Sequence, residues 1–422
     1  MNHQQLGEGV REDAPSLLVP ASSVRYRALT ELTGQSAEIE ERIRPITSEL
    51  NAHSLRVNAK TWAKNLEKAQ EAAELNTAYC RQLAGDDAFR PNSSAECRHF
   101  LQTKETDADA LTALFHDGNL LAGAVVNCRS AISRLSQVRS WQTYALLGSV
   151  NAYWDSLGCP HGRYTSELPS LNNRIDLIRE TIEPDPGHSF LSLDLNAAEY
   201  CVWASLSQDP TLCGAFRDGL DFHTTMAEAV KALVLSWCPE DLRAAGKTLN
   251  YSILYLMGSY ALSRRLGCSQ ELANQIIDTY HSKAPVATAY ITDQLARAEH
   301  LGFAETHFGR RRFCPEYQTT QTKHAAHESE KTLFNHVIAG TSAEIVKTKQ
   351  ICIWDGLRKA GFTQVHSRLS IQTYDGLVWT VRDDCLEEVR QLTEELWSLP
   401  EEGFLNFRST VKVGKTWQEV QK

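Results

Sequence analysis

Two short stretches with a two-residue period, far apart in a mostly helical chain, restrict the fold more than anything else. In FLSLDLNAAEY (residues 190–200), Leu191, Leu193 and Leu195 alternate with Ser192 and Asp194, the period of a half-buried strand. From Ala197 the spacing turns helical. In RLSIQTYDGLVWTVR (residues 368–382), alternating apolar strands flank Tyr374, Asp375 and Gly376, and an Asp-Gly turn there predicts a hairpin. The chain therefore reads as helices first, strands at Asp194 and around Asp375, and a long helical insertion between them. Taken alone, Asp194 is a cap where strand becomes helix, and Asp375 is a turn residue.

The helical insertion contains DLRAAGKTLNYSILYLMGSYALSRRL (residues 241–266). As one helix it aligns Arg243, Lys247, Tyr251 and Tyr255 at successive i, i+4 steps on one face. Leu249, Ile253, Leu254 and Leu256 supply an apolar flank for packing. Two cations followed by two rings suit a ligand with phosphates at one end and a flat ring at the other, as in a nucleoside triphosphate. An ordinary cationic surface helix has the same spacing.

Of the 422 residues, 42% are hydrophobic, enough for a large core and more than one compact unit. No window approaches the roughly 18 consecutive apolar residues of a membrane span, and the polar start lacks a secretion-signal layout. Eleven cysteines without a CxxC pair suggest neither a zinc site nor a disulfide framework, so a reducing cytoplasm fits. The net charge of −9 argues against a wholly basic nucleic-acid binder, yet phosphate contacts are made by patches. Arg310, Arg311 and Arg312 form one such patch.

Along the chain, residues 1–30 read as a loose lead-in. Helical periodicity spans residues 29–83, then about 107–117 and 119–150, with a helix start at Ser93-Ser94-Ala95-Glu96. Residues 158–174 form a loop between units. A helix start lies at Asp221–Thr225, beside His223. Residues 269–301 are helical with a break near Ala284-Pro285, and 302–313 form a hairpin or tight loop with the Arg triplet. Residues 322–361 are helical with a break at Gly340-Thr341, and a helix (384–398) and a strand-like piece (404–413) end the chain.

In their order and spacing these landmarks resemble the family A DNA polymerases. Residues 190–200 look like the first palm motif, DYSQIELR, and Arg243–Tyr255 like the fingers helix RxxxKxxxFxxxY. Residues 302–313 are close to ETxFGRRR, KTLFNHVIAGT (331–341) to RxxxNxxxQGT, and QTYDGLV (372–378) to the third palm motif QVHDELV. Residues 50–141 are similar to the thumb, and Gly162-Arg163 with 169–173 to the TGR…DPNLQN loop. Five motifs in the right order are specific where one is not.

The resemblance implies an α+β right-hand fold: an antiparallel-sheet palm, helical fingers and a helical thumb. It places the thumb at 45–150, palm at 151–208 and 332–422, and fingers at 209–331, after a lead-in of 1–44. It also implies addition of dNTPs to a primer 3′-hydroxyl. Asp194, Asp375 and the Leu195 carbonyl would hold two Mg²⁺ ions, with Mn²⁺ as a substitute. Lys247 and Arg243 would hold the β- and γ-phosphates with help from His223, and Lys247 could protonate the leaving pyrophosphate. Tyr251 would stack on the base, Tyr255 would guard the templating position, and Glu199 would exclude a ribose 2′-hydroxyl. Arg163, Asn335, Lys331, Tyr374, Arg310 and Arg311 would contact primer–template DNA.

The resemblance further implies a bacterial or phage-infected cytoplasm and no membrane partner. It leaves open a separate helicase, primase or processivity factor. About 45 residues ahead of the thumb are too few for the family's proofreading domain, so none is expected here. Departures are Tyr374 for His, Gly376 for Glu, Ala197 for Gln, Cys201 for Arg, Ala339 for Gln and Lys331 for Arg. They predict weaker discrimination against mispaired ends and low processivity. They also admit a weakened fold that mainly binds primer–template DNA, or an enzyme that copies RNA.

Overall fold

The computed structural model describes residues 30–172, 174–319 and 322–421, so most of the lead-in lies outside the described residues. Strand β1 (Thr30–Leu32) is followed by α1 (Gly34–Asn51), which runs across the expected boundary between lead-in and thumb. The predicted helical run to 83 is interrupted by a strand at Leu55–Val57 and resumes as α2 (Ala59–Ala84). Asn58 caps α2 by accepting from the amides of Lys60 and Thr61, which is why the helix starts there. Next come α3 (Ser94–Leu101), capped by Ser93 as predicted, α4 (Ala108–His116) and α5 (Leu120–Ser140). Helices α2 to α5 enclose a small core of their own around Phe89, Leu111 and Val125.

The site-bearing sheet begins with β2 (His188–Leu195), from which the chain enters α6 (Ala198–Ser207) and α7 (Pro210–Arg217). The insertion continues as α8 (Phe222–Lys231), α9 (Leu242–Leu254), α10 (Ser259–Leu266), α11 (Gln270–Lys283) and α12 (Pro285–Leu301). The rod expected over 241–266 is therefore two helices. Tyr255 ends α9, and Leu256 sits at φ +51°, a left-handed conformation that no helix continues through. The break near Ala284-Pro285 is present. Buried Asp209 stabilises both sides of the insertion, accepting from the amides of Thr211 and Leu212 and from those of Val286 and Ala287.

Strands β3 (Phe303–Glu305) and β4 (Arg310–Phe313) form the predicted hairpin, and β1 pairs with β4 to make three strands. Helix α13 (Lys323–Lys359) passes through Gly340-Thr341 without the expected break. Gly340 is there for space. A Cβ would meet Thr306 Cγ2 at 2.6 Å and the His161 carbonyl at 3.3 Å, so the glycine lets two segments press against the helix. Strands β5 (Ser367–Thr373) and β6 (Gly376–Arg382) are the second predicted hairpin, followed by α14 (Leu386–Ser398) and β7 (Ser409–Gly414). The main sheet has the order β5-β6-β2-β7, all antiparallel. Its residues Leu191, Leu193, Ile371, Leu377 and Trp379 are buried in one large core shared with α13. Among the described residues no helix is long and apolar enough to cross a membrane.

Candidate functional site

Sheet register places the backbones of Asp194 and Asp375, the two predicted metal ligands, next to one another. Asp194, on β2, pairs with Gly376, the neighbour of Asp375 in the β5–β6 turn. The amide of Leu195 donates to the Asp375 carbonyl at 3.0 Å, which pins the turn to the end of β2. Gly376 leaves room for this closeness. A Cβ there would lie 3.0 Å from Asp194 Oδ2 and 3.1 Å from the Leu193 carbonyl. The departure from the family's Glu at this position thus sits where a side chain would crowd Asp194.

Asp375 opens onto a cavity of about 370 Å³, within the range of small-molecule sites. His223, Arg243, Lys247 and Tyr251 line it as well. Burial pushes the Asp375 carboxyl up to about 6, against the pull of Arg163 and Lys247. Arg243 Nε donates to Asp221 Oδ2 at 3.2 Å, whereas Lys247 is exposed and has no ion-pair partner among the described residues. His223 is buried, with the Asn250 amide donating to Nδ1 at 3.1 Å, so its own proton sits on Nε2. Burial, with Arg243 and Lys247 nearby, pushes it down to about 4, so the ring is neutral at pH 7. Neutral, it can donate a hydrogen bond to an anion through Nε2–H.

A second cluster borders the first. Arg163 is ion-paired with buried Glu199, and Tyr255 Oη donates to the same carboxylate at 2.7 Å. The Arg163 guanidinium lies 5.1 Å over the Tyr374 ring, a cation–π contact. Tyr251 stacks on Tyr255 with centroids 6.1 Å apart and planes at 12°. Glu199, Arg163, Tyr255 and Tyr374 therefore form one linked group.

The predicted basic patch is corrected by the structure. Arg310 is 1% exposed, ion-paired with Glu40 and Glu344, and cannot reach DNA. It also lies under the Gly162 turn, where a Cβ would come within 2.7 Å of the guanidinium. Arg311 is taken up by Glu305 (2.8 Å) and Glu31 (3.2 Å). Lys331 pairs with Glu328 at 2.7 Å, one turn away from Asn335 on α13, and neither lines the cavity. Sequence reasoning missed Asn196 and Arg408, which do line it. No motif signals Arg408, because it precedes an ordinary final strand.

Asp194, Asp375 and the Leu195 carbonyl are hard oxygen donors, and a half-buried carboxyl with a raised pKa would be relieved by a cation. Among the described residues no three of His, Cys, Asp and Glu gather into a cage. Two carboxylates, completed by water and substrate phosphate, fit magnesium.

The chain matches the model of DNA polymerase family A over residues 47–419. It is similar to DNA polymerase I of Chloroflexus aurantiacus, 28% identical over 280 residues covering 65% of this chain and 29% of that protein. It is 26% identical to thermostable DNA polymerase I of Thermus aquaticus over 409 residues, 91% of this chain and 48% of the relative. The chain thus spans less than half the length of these two relatives. In structure it is similar to the POL domain of Pol1 from M. smegmatis, solved in complex with DNA primer-template and dNTP. That likeness has a TM-score of 0.81 at 22% identity, covering 91% of this chain and 71% of that one, and shows the same α+β right-hand fold. With the family match spanning most of its length, this chain belongs to DNA polymerase family A.

Proposed function

We propose that this chain is a template-directed DNA polymerase that adds dNTPs to a primer 3′-hydroxyl. The observation that carries the reading is the meeting of Asp194 and Asp375 on one sheet, with Asp375 facing a cavity shared with Arg243, Lys247 and Tyr251. The similarity to a domain solved with primer-template and dNTP supports it. In this reading residues 45–150 are the thumb, 151–208 and 332–422 the palm, and 209–331 the fingers.

Asp194, Asp375 and the Leu195 carbonyl would hold two Mg²⁺ ions, which supply charge neutralisation and activation of the attacking oxygen. Lys247 and Arg243 bind the triphosphate, and Lys247 is the group able to give a proton to the leaving pyrophosphate. Asp221 holds the Arg243 guanidinium in place, while His223 offers its Nε2–H. Tyr251 stacks with the incoming base. Glu199 crowds a ribose 2′-hydroxyl and selects dNTPs, and its bond from Tyr255 keeps it there. Arg163, positioned by Glu199 and the Tyr374 ring, contacts the primer end. Asn335 and Lys331 contact the template side of the DNA. Arg310 acts from behind, under Gly162, and supports Arg163.

The test is extension of a primed DNA template by the purified chain with all four dNTPs. Mg²⁺-dependent extension, abolished by a chelator, is expected. Binding of primer–template without any extension would leave a DNA-binding fold instead.

A further inference from the structure

The cavity has a cation that none of the matched motifs contains. Arg408 immediately precedes β7, which pairs with the strand bearing Asp194. Its carbonyl accepts from the Asn196 amide at 2.8 Å, and Asn196 in turn accepts from Thr410 Oγ1 at 3.2 Å. The backbone of Arg408 is therefore fixed to the end of β2, one residue beyond the Leu195 carbonyl. Its guanidinium reaches the opposite way. Nη1 donates to the Leu220 carbonyl at 2.8 Å and Nη2 to the Phe216 carbonyl at 3.0 Å.

A guanidinium has five N–H groups, so these two bonds leave three unused. Arg408 has no carboxylate partner among the described residues. Leu220, Asp221 and Phe216 line the same cavity as Arg408, so its unused donors are at the wall. Lys247 is in the same state, whereas Arg243 shares its charge with Asp221. Two uncompensated cations thus face one cavity, from the fingers side and from the palm side. Carbonyl anchoring holds Arg408 in place without cancelling its charge, as suits a preorganised anion contact.

We propose that Arg408 is a further phosphate-binding residue of this site, gripping the terminal phosphates of the nucleoside triphosphate, and the pyrophosphate that leaves, opposite Lys247. The proposal rests on the polymerase reading for the identity of the polyphosphate, but its first test does not.

Titration of the full chain with inorganic pyrophosphate and Mg²⁺ by calorimetry reads the contact directly. Arg408→Gln is expected to weaken binding at least tenfold, the worth of a charge-assisted bond, while Arg408→Lys stays within about threefold. In single-nucleotide extension, KM for dNTP rises with Arg408→Gln more than kcat falls. If pyrophosphate binding by Arg408→Gln stays within twofold of the unaltered chain, Arg408 only ties the 216–220 loop to the palm and the proposal is overturned. A loss as large for a deoxynucleoside without phosphates as for pyrophosphate overturns it too. Should Arg408→Gln not fold, Arg408→Met, which keeps an apolar stem and loses the charge, carries the test by the same two comparisons. A chain that binds pyrophosphate through Arg408 yet never extends a primer would sink the polymerase reading and leave this one standing.

Discussion

Two clusters of charge sit in this molecule, one buried and one at the cavity, and they are built differently. Behind the site, Glu40 on α1, Arg310 on β4, and Glu344 and Lys347 on α13 are each no more than 6% exposed. Two cations meet two carboxylates there, and every one is paired: Arg310 with both acids, Lys347 with Glu40. The hydroxyls of Ser36 and Thr306 donate to Glu344 at 2.6 Å, and Lys347 Nζ also donates to the Ser156 carbonyl. The cluster is closed. At the site, Glu199 absorbs Arg163 and Tyr255, Asp221 absorbs Arg243, and Lys247, Arg408 and Asp375 remain without an ion-pair partner among the described residues. Charge left unpaired at a cavity, with the Asp375 carboxyl pushed up by burial, points to a ligand, whereas the closed cluster is structural.

The largest effect should come from opening the closed cluster. Glu344→Ala leaves Arg310 buried against one acid and should cost about 3–5 kcal/mol in urea unfolding. Primer extension per folded molecule should stay near that of the unaltered chain. A loss of activity without loss of stability would blur the contrast. Next, Lys247→Ala at the open cluster should cut the rate of extension roughly 10²-fold or more, the scale of a general acid. Stability should move by no more than about 0.5 kcal/mol, because the side chain is exposed.

A smaller effect follows from His223. Its folded pKa is held down to about 4, so the unfolded chain takes up a proton near 6.5 that the folded chain refuses. Stability is therefore complete above pH 6.5 and is lost as pH falls from there toward 4. His223→Asn should remove one proton from that slope, roughly 1.4 kcal/mol per pH unit at its steepest. His161 and His336, both pushed down to about 3 by burial, should keep the remaining slope in place. An unchanged slope in the variant would mean that His223 is charged in the folded chain.

The smallest effect is expected where α10 meets the start of α4. Arg264 on α10 donates to Asp107 at 2.9 Å and Glu105 at 3.4 Å. The acids are well exposed, so a double-mutant cycle on Arg264 and Glu105 should give less than about 1 kcal/mol. A larger coupling would put this contact in the same class as the closed cluster.

Much of this was legible in the sequence because the signals are local. Alternation over 190–195 and 368–382 located three strands of the main sheet, and the Asp-Gly turn located the hairpin. The stripe Arg243, Lys247, Tyr251 was readable because helix spacing is regular. What failed depended on distant partners. Arg310 looks like surface charge in the run of three, and only Glu40, 270 residues away, together with Glu344, turns it inward. Gly340 reads as a helix breaker, and only the close approach of Thr306 and His161 explains a glycine inside a continuous helix. Arg408 carries no local signal, since its place is decided by sheet pairing with β2.

The central claim is that Asp194 and Asp375 act as one metal-holding pair. Single-turnover extension of a primed template across a Mg²⁺ titration tests it, using the unaltered chain, Asp194→Asn and Asp375→Asn. Both variants should fold and bind primer–template, yet extend at least about 10³-fold more slowly at saturating Mg²⁺, the loss of several kcal/mol of charge stabilisation. Either variant extending within tenfold of the unaltered chain would contradict the account.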